Sequence, residues 1–394
     1  MLQNEIKELA KQIHPETIAN RRHLHTNPEL SFEEFNTASF IKNKLDELDI
    51  PWESMATTGV IGLIKGDLES DKVIALRADM DALPIQEVDG RSYGSSKPGV
   101  MHACGHDVHT SSLLGTAKIL SSLKSKFAGT VKLIFQPGEE KLPGGASLLI
   151  KEGVLSNPAP DAVIGQHVLP LIDSGKIGFR SGKYMASADE LYVRVIGKGG
   201  HGAQPQENID PIVITAHIIT ALQQIVSRIG DPKTPSVLSF GKIIADGATN
   251  VIPNEVYLEG TFRTFDEAWR KEAHHRMKKM AEGMAESMGA RCEFEVRKGY
   301  PFLVNEEKLT ASIRSFAEDY LGKENIVDLD LWLAAEDFAY YSQQADACFY
   351  RLGTRNEARG ITSAVHTTTF DIDEEALQLS TGLMAYISIK QLGN

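Results

Sequence analysis

The chain has few cysteines: Cys104, Cys292 and Cys348 are the only three in 394 residues, and they lie far apart. An odd, scattered set excludes a disulfide framework and suits a reducing compartment. Blocks of one charge are missing as well. The net charge of −12 comes from mixed-sign stretches such as HPETIANRRHLHTNPELSFEEF (14–35), with no basic stripe to neutralise phosphates, so nucleic acid is excluded as a partner. No apolar run approaches the roughly 20 residues of a membrane span. The start, MLQNEIKELAKQIHPE, has acids where a signal peptide needs an apolar stretch. These absences read as a cytoplasmic protein without a membrane partner.

What is present is enough chain for two cores, since 394 residues exceed one ordinary domain. Between 59 and 168, the apolar runs GVIGLIKG, KVIALRADMD, TVKLIFQPGEE and DAVIGQHV alternate with a helical period over roughly 106 to 124, which is α/β grammar. Three of the predicted strands end in ionisable groups: Asp79 and Asp81, Glu139 and Glu140, and His167. Strand ends of this kind converge on one crevice in open α/β sheets. The next stretch reads βαββαβ, with Asp210 as N-cap and Pro211 at the first helical position. After 300 the α/β pattern resumes, with helices near 306 to 321, 336 to 344 and 373 to 391. The expected fold is a discontinuous α/β domain (1–182 and 298–394), with a mixed, mostly parallel sheet flanked by helices, interrupted by a ferredoxin-like βαββαβ domain at 183–297.

MHACGHDVHT (101–110) concentrates chemistry. Cys104 and His106 sit two apart where a helix begins, and Glu140, His167 and His366 could complete a metal site from strand ends and loops. The plain alternative is a partly buried cysteine beside capping polar groups. Glu139 and Glu140 repel each other unless a cation or proton lies between them, which suits one carboxylate as ligand and its neighbour as base; a solvated acidic turn is the other possibility. A nucleophilic Cys104 at a helix N-terminus is a further reading, but it leaves the acids and the remaining histidines unexplained. GKGGHG (197–202) satisfies a dinucleotide-binding pattern, yet AQPQENIDP delays the next helix and Leu222 stands where an acid is expected. His201 in that loop is therefore the residue of interest, against the reading of a solvent-facing loop histidine.

Ten ordered motifs, nearly end to end, make the chain resemble the metallo-aminoacylase and carboxypeptidase family, within it the subfamily of hippurate hydrolase, indole-acetyl-amino-acid hydrolases and N-acetyl-diaminopimelate deacetylase. They are RRHLHTNPELSFEE, LRADMDALPIQE, MHACGHDVHT, QPGEE, GQHV, GGHGAQP, NVIP, FRT, EDFAYY and VHTTTFDIDEEAL. The resemblance implies two divalent metal ions, zinc or manganese first and cobalt or nickel next, held by Cys104, His106, Glu140, His167 and His366. It implies Glu139 as general base, Asp81 as the group orienting a ligand imidazole, His201 as an oxyanion donor, and Asn250 and Arg263 as holders of a substrate carboxylate. The inserted domain would be a lid and dimerisation module, hinged near 182 and 298, in a homodimer or homotetramer. Two stretches depart from the family pattern: TTTF after His366, where Ser-Pro is common, and LAA before Glu336, where Gly-Ser is common.

The expected activity is hydrolysis of an N-acyl-amino acid or short peptide with a free carboxylate, a small-molecule substrate. The alternatives are a metal-loaded binder that does not cleave its ligand, and an amidase with Cys104 as nucleophile.

Overall fold

The computed structural model describes residues 2–88 and 90–393, which form two compact units. The first comprises the chain up to Tyr184, Val304–Leu331 and the chain from Asp337 onward; the second comprises Met185–Leu303 and Trp332–Glu336. The sequence reading leaves residues 332–336 with the larger domain, because a five-residue excursion has no signature of its own.

In the first unit, eight strands lie in the order Trp52–Met55, Gly59–Lys65, Ala128–Gln136, Leu68–Asp79, Ala162–Asp173, Ala347–Arg355, Ile177–Phe179 and Ile326–Asp328. The central pairs are parallel, and antiparallel pairs flank them. Parallel central strands are covered on both faces and so read as continuous apolar runs; Val131, Leu133, Ile134 and Phe135 are all fully buried.

The helix His106–Ser122 is buried on nearly every side and packs against Leu2–Thr26 and Glu375–Gln391, which explains its weak amphipathic period. Gly115 permits the approach: a Cβ there would lie 2.7 Å from Thr381 Cγ2 and 3.0 Å from Thr17 Oγ1. The expected helix over 336–344 shrinks to Ala339–Ser342, entered through a turn in which Tyr340 N donates to the Asp337 carbonyl at 2.9 Å.

The second unit is a four-stranded antiparallel sheet in the order Ser236–Ile244, Glu255–Thr264, Asp189–Ile196, Arg291–Lys298. Its helices are Pro211–Gln224, extended by one π-type turn to Ile229, and Glu267–Ser287. This is the ferredoxin-like order. Leu191, Val193 and Val195 alternate along their strand and meet Ile214, Ile218 and Leu222 at helical spacing. Asp210 caps its helix, accepting from the backbone N–H of Ile212 at 2.8 Å.

The helix Pro211–Ile229 is long and apolar enough to cross a membrane by length and composition. An amphipathic reading explains the same residues, since one face packs on the sheet while Ile212 and Val213 are exposed.

A buried ion cluster holds the second unit where the chain enters and leaves its sheet. Asp189, 1% exposed, accepts from Arg270 Nη2 at 2.6 Å and Nε at 2.9 Å. Arg270 also donates to the carbonyls of Ala188 and Gly299. Asp189→Ala should therefore leave the buried guanidinium with only the more exposed Glu267 as counter-charge and lower stability by about 3 kcal/mol, measured by urea-induced unfolding.

Candidate metal centre

The central strands bring the acidic ends together. Leu68–Asp79 ends at Asp79, with Asp81 just beyond, and Ala128–Gln136 leads into Glu139 and Glu140. His167 corrects the expectation of a strand end, because its strand continues to Asp173. Its register nevertheless serves the site: Arg77 pairs with Gly165, so two residues on His167 lies level with Asp79.

Gly105, at φ 85°, opens the helix that carries His106. A Cβ at this position would lie 2.6 Å from Val168 Cγ2, so only glycine allows the turn that lets Cys104 and His106 face one centre. Cys104 Sγ lies 3.4 Å from His167 Nε2 and 3.3 Å from His366 Nε2. His366 Nε2 is 3.3 Å from Glu140 Oε1. His366 itself adopts φ 61°, a backbone region uncommon for histidine, and its N–H donates to the Ala103 carbonyl at 2.7 Å. Donor atoms fall within 4.8 Å of one another in the sets Cys104/His106/His167, Cys104/Glu140/His366 and His106/Glu139/Glu140. The first two sets share only the sulfur, an arrangement that fits two cations around one thiolate.

The orienting bonds point the same way. His106 Nδ1 is 3.0 Å from Asp81 Oδ1, and the other Asp81 oxygen accepts from Ser31 Oγ at 2.6 Å and Glu140 N at 3.0 Å. His167 Nδ1 is 2.7 Å from the Val168 carbonyl. Both histidines thus turn Nε2 inward, as metal-binding imidazoles do. His106 Nε2 and Glu140 Oε1 are buried without a hydrogen-bond partner, a costly state that a cation relieves. His109, the third histidine of the motif, is committed elsewhere: Nδ1 lies 2.5 Å from Asp79 Oδ1, and Nε2 accepts from Val168 N at 2.9 Å.

Electrostatics agree with the donor chemistry. Burial first, then Glu140, Glu139 and Asp79, push the Cys104 thiol well up. Burial works to lower His106, but Asp79, Asp81 and Glu140 together outweigh it and raise the imidazole to about 10. Without a cation, the site therefore keeps protons on the sulfur and the ring; a bound cation replaces them. A neutral thiol among carboxylates is the opposite of the electropositive setting a nucleophilic cysteine needs. Burial, then Arg351, hold His167 well below its usual range, leaving the neutral imidazole that binds metals.

The remaining predicted residues lie in the second unit. Gly200–His201 is a short strand paired with Val251–Ile252, and the next α-helix starts only at Pro211, so none opens directly from the glycine loop as a dinucleotide site requires. Gly202 N donates to the Asn250 carbonyl at 2.8 Å, which sets Asn250 beside His201. His201 is exposed, and its Nδ1 accepts from Ala203 N at 3.1 Å, leaving Nε2 as the protonated nitrogen. Arg263 stands on the sheet strand Glu255–Thr264 with Nε donating to Thr261 Oγ1 at 3.1 Å.

The family described as Peptidase family M20/M25/M40 matches residues 75–389. The chain belongs to that family. This M20 chain is 45% identical to an N-acyl-L-amino acid amidohydrolase of Geobacillus stearothermophilus over 313 residues, 78% of this chain and 83% of that protein. It is 37% identical to thermostable carboxypeptidase 2 of Saccharolobus solfataricus, covering 99% of this chain and 98% of that one. Among solved structures, a Bacillus subtilis dinuclear metal binding peptidase from the M20 family superposes with a TM-score of 0.83 at 36% identity, covering 97% of this chain and 99% of that one.

Sequence reasoning did not assign roles to Arg77, His109 or Asp337 in this M20 chain; the motifs that contain them were visible, but their partners were not. If Asp81 orients His106, Asp81→Ala should weaken metal binding about 10- to 100-fold, read by titration against a competing chelator. Glu140→Ala should lose metal outright, read by elemental analysis.

Proposed function

We propose that the chain is a metal-dependent amidohydrolase that cleaves the amide of an N-acyl-amino acid, or of a short peptide with a free carboxylate, using Glu139 as general base. The observation that carries this reading is the donor set around the buried Cys104 sulfur, with the carboxylate of Glu139 within 4.8 Å of donors on His106 and Glu140. The relatives named amidohydrolase and carboxypeptidase both act on C–N bonds, and so support the reaction class.

Cys104, His106, Glu140, His167 and His366 would hold two divalent cations, with zinc or manganese the first candidates and cobalt or nickel also matched to thiolate, imidazole and carboxylate donors. Bound there, the cations supply positive charge that polarises the scissile carbonyl and acidifies water from a pKa of ~15.7 toward ~7. Glu139 accepts the proton of the attacking water and returns it to the departing amine. Asp81 keeps the His106 ring in the tautomer with Nε2 inward. His201, with its Nε2–H available to donate, is the proposed oxyanion donor. Asn250 and Arg263 are the proposed holders of the substrate carboxylate, a task suited to a guanidinium fork.

The second unit is the proposed lid and dimerisation module. Exposed Ile212, Val213, Ile243 and Ile244 and the edge strand Ser236–Ile244 support a homodimer or homotetramer. The proposed location is the cytoplasm, where three free cysteines are at home.

The deciding experiment compares the purified, metal-loaded and chelator-treated chain on N-acetyl, N-benzoyl and indole-acetyl amino acids and dipeptides. Hydrolysis lost on chelation and regained with metal supports the reading; ligands recovered uncleaved after long incubation would make the chain a binder. Glu139→Ala should retain metal while kcat falls at least about 10²-fold. Arg263→Ala should raise KM for substrates with a free carboxylate and leave amidated ones unchanged.

A further inference from the structure

Arg77 and Asp337 have no part in the chemistry above, yet they are among the most deeply buried charges in the first unit, at 1% and 0% exposure. Arg77 directs Nη2 to Asp337 Oδ1 at 2.7 Å, Nη1 to Asp79 Oδ2 at 2.6 Å and Nε to Gln136 Oε1 at 2.9 Å. The Asp337 carboxylate also accepts from Gln136 Nε2 at 2.7 and 2.8 Å and from Ala146 N at 2.9 Å.

Gln136 and Ala146 stand on either side of the loop that carries Glu139 and Glu140. The neck of this loop is closed by Gly145 N donating to Gly138 O at 3.0 Å, and a Cβ on Gly145 would lie 1.7 Å from the Pro137 carbonyl oxygen. One carboxylate therefore clasps both feet of the loop. From the same residue, the backbone N–H of Asp337 reaches Glu139 Oε1 at 3.4 Å.

We propose that Asp337, charge-balanced by Arg77, is a positioning residue that fixes the Glu139 carboxylate by clasping the loop that bears it. The inference rests on the reading of Glu139 as the base. Asp337 is not itself a base, because the donors of Arg77, Gln136 and Ala146 occupy its carboxylate. The ion pair lets that carboxylate be buried, and burial makes its position rigid. Proton transfer depends on placement to within a fraction of an ångström, so a loosened clasp acts on turnover before it acts on binding.

Asp337→Asn keeps the volume but sets an amide donor against Arg77 or against the loop-side donors. The expected result is a kcat about ten- to hundredfold lower, KM within about twofold, unchanged metal content, and faster amide exchange across 138–145. Arg77→Lys, which keeps the charge but not the fork, should fall between the variant and the wild type. A folded, metal-loaded Asp337→Asn with wild-type kcat overturns the proposal, as does a loss of kcat matched by an equal loss of metal. If Asp337→Asn does not fold, Gln136→Leu decides, since it removes the loop-side donor and keeps the Arg77–Asp337 pair. A kcat-only loss there supports the clasp, and unchanged kcat overturns it. Glu139→Gln in parallel separates the two readings: retained activity refutes the base and the clasp with it, whereas an inactive Glu139→Gln beside a fully active Asp337→Asn refutes the clasp alone.

Discussion

Buried negative charge is the constraint around which the first unit is organised. Asp79, Asp81, Glu139 and Asp337 all lie below a tenth of full exposure near the ends of two parallel strands, where uncompensated carboxylates would cost several kcal/mol each. Each is provided with donors: Arg77 serves Asp79 and Asp337, Ser31 and a backbone amide serve Asp81, and the backbone N–H of Asp337 reaches Glu139. What these donors leave uncompensated is gathered at Cys104, His106 and Glu140, and it calls for protons or cations. The metal affinity and the acid-base role proposed for this site would draw on the same surplus of charge.

The helix that carries His106 is secured from behind by a second network. Asp107 Oδ2 accepts from Arg21 Nε at 2.8 Å and lies 2.8 Å from His25 Nδ1, while Arg21 Nη2 donates to Asp371 at 2.8 Å. Burial alone would raise Asp107, but Arg21 and then His25 hold it well below the usual carboxylate range. Adjacent residues of one helical turn therefore serve opposite ends: His106 faces the centre and Asp107 anchors the turn. Because the helix is also enclosed by its neighbours, the first turn has little freedom to move, as a preorganised site requires.

Much of this was legible in the sequence, for identifiable reasons. The runs KVIALRADMD and TVKLIFQPGEE announce parallel strands because both faces are covered, and the acids at their ends are read directly from chain order. Asp210 before Pro211 marks a helix start through local hydrogen bonding alone. The misreadings share a different cause. His167 looked terminal because the run DAVIGQHV was read as ending there, yet pairing with Ala347–Arg355 carries its strand onward. Residues 336–344 looked helical, but only Ala339–Ser342 forms a helix, beyond the turn at Asp337.

By itself, the sequence determined the alternation of strands and helices and the βαββαβ insertion, because periodicity and capping are local properties. Only the tertiary structure decided that His109 in MHACGHDVHT is committed to Asp79 and Val168, and that Arg77 meets Asp337 across 260 residues of chain. Such pairings depend on strand register and on the burial of charge in a low-dielectric interior, and both exist only once distant segments have packed.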